Sequence, residues 1–139
     1  MDTVYADIEL INAIDLGMVR KEQLDKNEVK RMHVNMLVKS GAYLMAINDT
    51  ILSQLHLPIV DKRKVQMADG SIMEYDVAGP IKVRFANRKA VCIAFVLSGN
   101  SEPLLGFIPM KEMDVIIHPR RQELLVNPDH PNYAALKMK

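Results

Sequence analysis

The chain has 139 residues, 49% of them hydrophobic, with 18 lysines and arginines against 17 aspartates and glutamates. That length suits one domain, residues 1–139, with a sizeable core, and a formal charge of +1 gives no general pull toward nucleic acid or an anionic membrane. No apolar run approaches the roughly 20 residues of a membrane helix. The start, Met1-Asp2-Thr3-Val4, lacks the basic-then-apolar pattern of a secretory leader. A lone cysteine, Cys92, allows no internal disulfide, so a reducing, cytoplasmic setting is expected.

The first element is a strand, because Val4, Ala6, Ile8 and Leu10 alternate with Tyr5, Asp7 and Glu9. Residues 12–27 show no strand period and read as a long excursion with a helical turn around Lys21 to Lys26. Met32, Val34, Met36 and Val38 alternate with Arg31, His33 and Asn35 in a second strand, which turns His33 outward. After Lys39-Ser40-Gly41-Ala42 a short apolar strand runs from Tyr43 to Ile47. A helix over Thr50 to Leu55 follows, capped by Asn48 or Asp49 and ended by Pro58.

Asp69-Gly70, between Lys64 and Tyr75, signals a hairpin with a tight two-residue turn. Gly79-Pro80 reads as a break before a strand over Ile81 to Phe85, and residues 86–89 as a turn. Ala90 to Leu97 is apolar on both faces and suits a central strand, in which Cys92 is a small buried hydrophobe. Leu104-Leu105-Gly106 leads into a short helix at Pro109 to Met113. Val115 to Ile117 and Glu123 to Val126 close the sheet, and the proline-bearing tail from Asn127 is expected to be loosely attached. The methionines, including Met32, Met36, Met45 and Met67, read as fillers of core gaps. Asp61-Lys62-Arg63-Lys64 reads as a solvated strand end.

Four scattered histidines and one cysteine have no zinc spacing, and no Gly-rich loop is present to cradle a phosphate. Neither a metal nor a cofactor is expected, nor is a nucleic-acid or membrane partner. About eight short strands, two short helices and many turns make a mostly-β barrel or sandwich.

Three stretches in order resemble a retropepsin-like aspartic protease of the small prokaryotic single-domain type, over about residues 4–130. Val38-Lys39-Ser40-Gly41-Ala42 is similar to the family's Asp-Thr/Ser-Gly-Ala turn, with Lys39 at the aspartate position. Met67-Ala68-Asp69-Gly70-Ser71 falls where the family has its flap. Pro103-Leu104-Leu105-Gly106 falls at its apolar corner, where retroviral members continue with Arg and Asn or Asp and this chain has Phe107 and Ile108. The resemblance implies a closed β-barrel with one or two short helices, acting as a homodimer on an extended peptide or protein substrate. It makes Lys39, Ser40 and Gly41 the catalytic turn and Ala42 with residues 67–71 the substrate contacts. Leu104, Leu105 and Gly106 become the structural corner.

The family's chemistry needs two carboxylates that share one proton. An ammonium only donates, so Lys39 predicts an inactive aspartic endopeptidase domain. The alternative is a non-catalytic peptide-binding or dimerisation module on the same fold. A third use, Lys39 as a nucleophilic amine, requires a desolvated lysine near another cation.

Overall fold

The structure, a computed structural model, describes residues 3–138. The leader reading at Met1 and Asp2 and the last tail residue, Lys139, lie outside the described residues. The described residues form nine strands and three α-helices. They are β1 (Tyr5–Asn12), α1 (Ala13–Arg20), β2 (Arg31–Val38), β3 (Met45–Asn48), α2 (Asp49–Gln54), β4 (Ile59–Gln66) and β5 (Ile72–Phe85). After these come β6 (Arg88–Leu97), β7 (Leu104–Leu105), α3 (Phe107–Met113), β8 (Val115–His118) and β9 (Glu123–Val126). The fold is mostly β, as the alternating pattern predicts.

Seven strands form one sheet in the order β1-β2-β7-β3-β6-β5-β4, and β1 also pairs with β5. The inward residues of the strand alternations meet in one core. Ile8, Leu10, Met36, Met45, Ile47, Ile81, Val83, Ala94 and Leu105 are all fully buried. β6 is central, between β3 and β5. His33 faces outward and lies 3.4 Å from Asp7. Cys92 packs against Met45 with 3.3 Å between their sulfurs, and burial pushes its thiol up to about 12. That thiol is held neutral and unreactive.

Several sequence expectations are corrected. The excursion after β1 opens directly into α1, because the buried Asn12 accepts from the N–H groups of Ile14 and Asp15 at 2.9 and 3.1 Å. The Asn12 amide also donates to the Leu55 carbonyl at 2.8 Å, tying α1 to the end of α2. The helical turn expected around Lys21 to Lys26 is instead the hydrogen-bonded end of α1 at Lys21 and Glu22, followed by irregular chain and a 3₁₀ turn at Lys26–Glu28. Tyr43 and Leu44 precede β3 as a bend. Asn48 caps α2, accepting from Ile51 N–H at 2.9 Å, while Asp49 accepts from Gly99 N–H. Gly79-Pro80 does not end a strand. β5 runs through it with a register shift between Ala78 and Ile81, where a bulge absorbs the irregularity. Arg88 opens β6 and does not belong to the turn.

β8 and β9 pair only with each other, as a separate two-stranded sheet. The tail is tied down, not loose. Asp114 Oδ2 accepts from Ala135 N–H at 3.0 Å and lies 2.7 Å from His130 Nδ1, and Asn127 Nδ2 donates to Asp114 Oδ1 at 3.1 Å. The Asn87 amide donates to the Pro131 carbonyl at 2.9 Å, and the buried Arg88 guanidinium donates to the His130 carbonyl. These tethers involve polar side chains far apart in sequence, which no local pattern announces.

Candidate active site

β2 delivers Lys39, and β7 fixes where it goes. β7 lies between β2, its parallel partner, and β3, its antiparallel partner, with Leu37↔Leu104, Val38↔Leu105 and Ala46↔Leu104 in register. The Leu104-Leu105 segment is thus threaded between the strand that enters the Ser-Gly-Ala turn and the strand that leaves it. Leu37 N–H donates to the Pro103 carbonyl at 3.0 Å and Lys39 N–H to the Leu105 carbonyl at 2.9 Å. Ala42 N–H closes the turn on the Lys39 carbonyl at 3.0 Å.

Gly106 is where the two backbones cross. A Cβ there would lie 2.6 Å from the Ala42 carbonyl oxygen and 2.8 Å from the Leu44 carbonyl carbon, and would overlap the Leu44 carbonyl oxygen. Only glycine permits this approach. It also lets the turn cap α3. The first N–H groups of a helix have no partner inside it, and here Phe107 N–H donates to the Ala42 carbonyl at 2.7 Å and Ile108 N–H to the Tyr43 carbonyl at 3.0 Å. At Leu104-Leu105-Gly106 the contacts are made by main chain. Phe107 is exposed at 44%, with the Lys111 ammonium 5.7 Å from its ring centroid, so no ion pair forms at this position.

Gly41, the glycine that the turn motif singles out, has nothing within 4 Å of a Cβ in this single chain. Lys39, Ser40 and Gly41 are exposed, as is Tyr43, while Ala42 is half-buried. Among the described residues no ion pair involves Lys39. Chemically the turn offers an exposed cation and a hydroxyl, with no carboxylate paired to the cation. A solvated ammonium does not meet the requirement for an amine nucleophile.

Residues 67–71 form the tip of a ribbon. β4 and the start of β5 pair with each other from Asp61↔Val77 to Gln66↔Ile72, and β6 joins only from Val77 onward. The ribbon is exposed on both faces, including Met67, Ile72 and Met73, so Met67 fills no core gap. Asp61 to Lys64 are exposed within β4, as a solvated charge run should be. The turn is longer than two residues. Met67 N–H donates to the Ser71 carbonyl at 2.8 Å and Gly70 N–H to the Met67 carbonyl at 2.9 Å, with Gly70 at φ +88°. One left-handed glycine after a β-turn gives a three-residue loop instead of a loop with two positive angles. Asp69 Oδ1 accepts from Ser71 Oγ at 2.6 Å and from Ser71 N–H at 2.9 Å. The hydroxyl bond first, and the backbone bond next, hold the Asp69 carboxyl below its usual value. That carboxylate serves the loop.

Asp114 was not singled out by any sequence pattern. It ends α3 in a left-handed conformation, φ +54°, and with Ser40, Phe107, Met110, Lys111 and Val115 lines a cavity of about 480 Å³ beside the turn. The Ala135 N–H foremost, with Asn127 and His130, holds its carboxyl below the usual aspartate value. Among the described residues no group of three His, Cys, Asp or Glu side chains is arranged to hold a metal ion, and no helix is long and apolar enough to cross a membrane.

The fold as a whole has a counterpart among solved structures. The chain is similar to the retroviral protease-like domain of Ddi1 from Leishmania major, with a TM-score of 0.55 and 15% identity over 92% of this chain and 90% of that one. The fold is retropepsin-like. No protein-family profile matches the sequence, and no curated protein matches it. At that identity the likeness concerns the fold, and the roles of individual residues rest on the geometry given above.

Proposed function

We propose that residues 1–139 form one retropepsin-like aspartic endopeptidase domain of the small prokaryotic type, a closed barrel that pairs as a homodimer and takes an extended peptide under the ribbon of residues 59–77. It is inactive as sequenced. The observation that carries this reading is the exposed Lys39, without an acidic partner, on a turn held by Leu104, Leu105 and Gly106. In this reading Lys39, Ser40 and Gly41 occupy the catalytic turn, and Ala42 with Met67, Ala68, Asp69, Gly70 and Ser71 contacts substrate. An ammonium cannot take a proton from water as the family's ionised carboxylate does. Two Lys39 side chains at roughly 4 Å across a twofold axis would repel by about 4 kcal/mol at an effective dielectric of about 20.

Incubation with a fluorogenic peptide library at acidic pH tests the reading. No cleavage is expected from this chain, and pepstatin-sensitive cleavage is expected from Lys39→Asp. Pepstatin-sensitive cleavage by the unaltered chain would sink the inactivity. Equilibrium sedimentation tests the dimer.

The exposed apolar residues of the ribbon, Met67, Ile72 and Met73, favour a second reading, a peptide-binding module that never cuts. It predicts equal peptide affinity for this chain and Lys39→Asp, with no turnover by either.

A further inference from the structure

The end of the sheet away from Lys39 carries a second site. β1 and β2 are antiparallel, with Tyr5↔Leu37 near the turn and Ile11↔Arg31 at the other end, and α1 follows β1 there. β5 reaches this end at Ile81 and Lys82, which pair with Asn12 and Ile11. Ala13, Leu16, Gly17 and Arg20 share one face of α1 by helical spacing. They line a groove of about 490 Å³ together with Lys82 on β5 and Lys89, Ala90 and Val91 on β6.

Cations are concentrated here in a way the fold does not require. Lys89 stands directly across from Arg84, and Lys82 across from Val91. Like charges in register destabilise a strand pair. Burial lowers the Lys82 ammonium below its ordinary value, and the charges of Lys89, Arg20, Arg84 and Arg31 lower it further. The local carboxylates are already engaged. Glu9 lies 3.4 Å from Arg84 and 3.7 Å from Arg31, and Asp15 accepts from Lys30 N–H at 2.9 Å. Among the described residues Arg20, Lys82 and Lys89 form no ion pair. The negative end of the α1 dipole accounts for Arg20 in the last turn. It does not account for Lys82 and Lys89. The apolar wall is open as well, with Val91 exposed at 61% and nothing within 4 Å of a Cβ on Gly17.

We propose that this groove binds a small phosphorylated ligand, its phosphoryl oxygens on Arg20, Lys82 and Lys89 and its less polar part against Leu16 and Val91. A phosphoryl group supplies the multiple negative oxygens that three converging donors require. Its negative charge would offset the mutual repulsion of Lys82, Lys89 and Arg20.

Calorimetric titration with inorganic pyrophosphate, AMP and adenosine tests the site, and also separates an inorganic ligand from a nucleotide. Both phosphorylated probes are expected to bind, and adenosine is not. Lys82→Gln should weaken both by about tenfold, the loss of one charge-assisted contact. Lys62→Gln removes the same charge from the exposed ribbon and should leave affinity unchanged. Gly17→Leu fills the groove from the helix without altering charge and should weaken AMP more than pyrophosphate. It also keeps the test alive should Lys82→Gln fold poorly. Pyrophosphate binding without AMP binding would support an inorganic ligand. The proposal is overturned by flat titrations with both phosphorylated probes, or by equal weakening in Lys82→Gln and Lys62→Gln.

Discussion

The corner at Gly106 and the ribbon tip at Gly70 are each built on a glycine, and they hold their shape by opposite means. At the corner two stretches of main chain cross so closely that a Cβ has no room, and the carbonyls of Ala42 and Tyr43 cap α3. At the ribbon tip there is open space around Gly70, whose φ of +88° is the only constraint, and the loop is held by Asp69 and Ser71. The corner is therefore part of the cooperative core. The ribbon is two strands without a third partner, which are marginally stable by themselves. A peptide site built from both would have a fixed floor and a cover that opens at little cost.

The largest expected effect is at the corner. Gly106→Ala forces backbone apart and should destabilise the whole fold by about 3 kcal/mol or more, the upper range of overpacking. Urea denaturation with an unchanged midpoint would show that the crossing is looser than described.

Next is Asp114, which ties the tail to α3. Asp114→Asn keeps a residue that tolerates the left-handed conformation and should lower the melting temperature at neutral pH by about 5 °C. A carboxyl held below its ordinary value stabilises the fold above the ordinary carboxylate range. That stability is lost as pH falls through the lowered, folded-state value. The two melting temperatures should therefore converge in acid. A gap that stays constant with pH would exclude the carboxylate charge as the cause.

Gly70→Ala must adopt a left-handed angle and should cost about 1 kcal/mol, read locally as faster hydrogen exchange at the Met67 and Gly70 amides. Protection of the same amides, relative to their intrinsic exchange at each pH, should fall as acid protonates Asp69, because its lowered carboxyl stabilises the loop only while ionised. If Gly70→Ala instead moved the global denaturation midpoint as far as Gly106→Ala, the contrast between corner and ribbon would fail.

The smallest effect should be at Gly41. With open space around it, Gly41→Ala should leave the stability of the isolated chain unchanged within about 0.5 kcal/mol. If the chain dimerises through this turn, the same substitution should weaken dimerisation in sedimentation.

The strands were largely legible, because burial of one face writes a period of two into the chain. β1 and β2 follow that pattern, whereas the ribbon, exposed on both faces, was legible from its Asp-Gly turn and β6 from a run that is apolar on both faces. α1 was not, because a single buried asparagine caps it and none of its residues is fully buried. The three motif stretches were legible as turns and apolar pairs. Which glycine is sterically required was not, since Gly41 and Gly106 look alike until the backbone beside each is known. Arg88 resembled one more turn residue, yet it is buried at 2% exposure and reaches the tail.

The sequence alone determined that the protein is mostly β, that an apolar strand enters Lys39-Ser40-Gly41-Ala42, and that no aspartate stands at that turn. These depend on neighbours within a few residues, where alternation and turn chemistry act. Only the tertiary structure decided that Leu104-Leu105 passes between β2 and β3, that Asp114 tethers the tail, and that Arg20, Lys82 and Lys89 line one groove. Each joins positions on different elements, and their meeting is set by how the strands pair and the helices cover them.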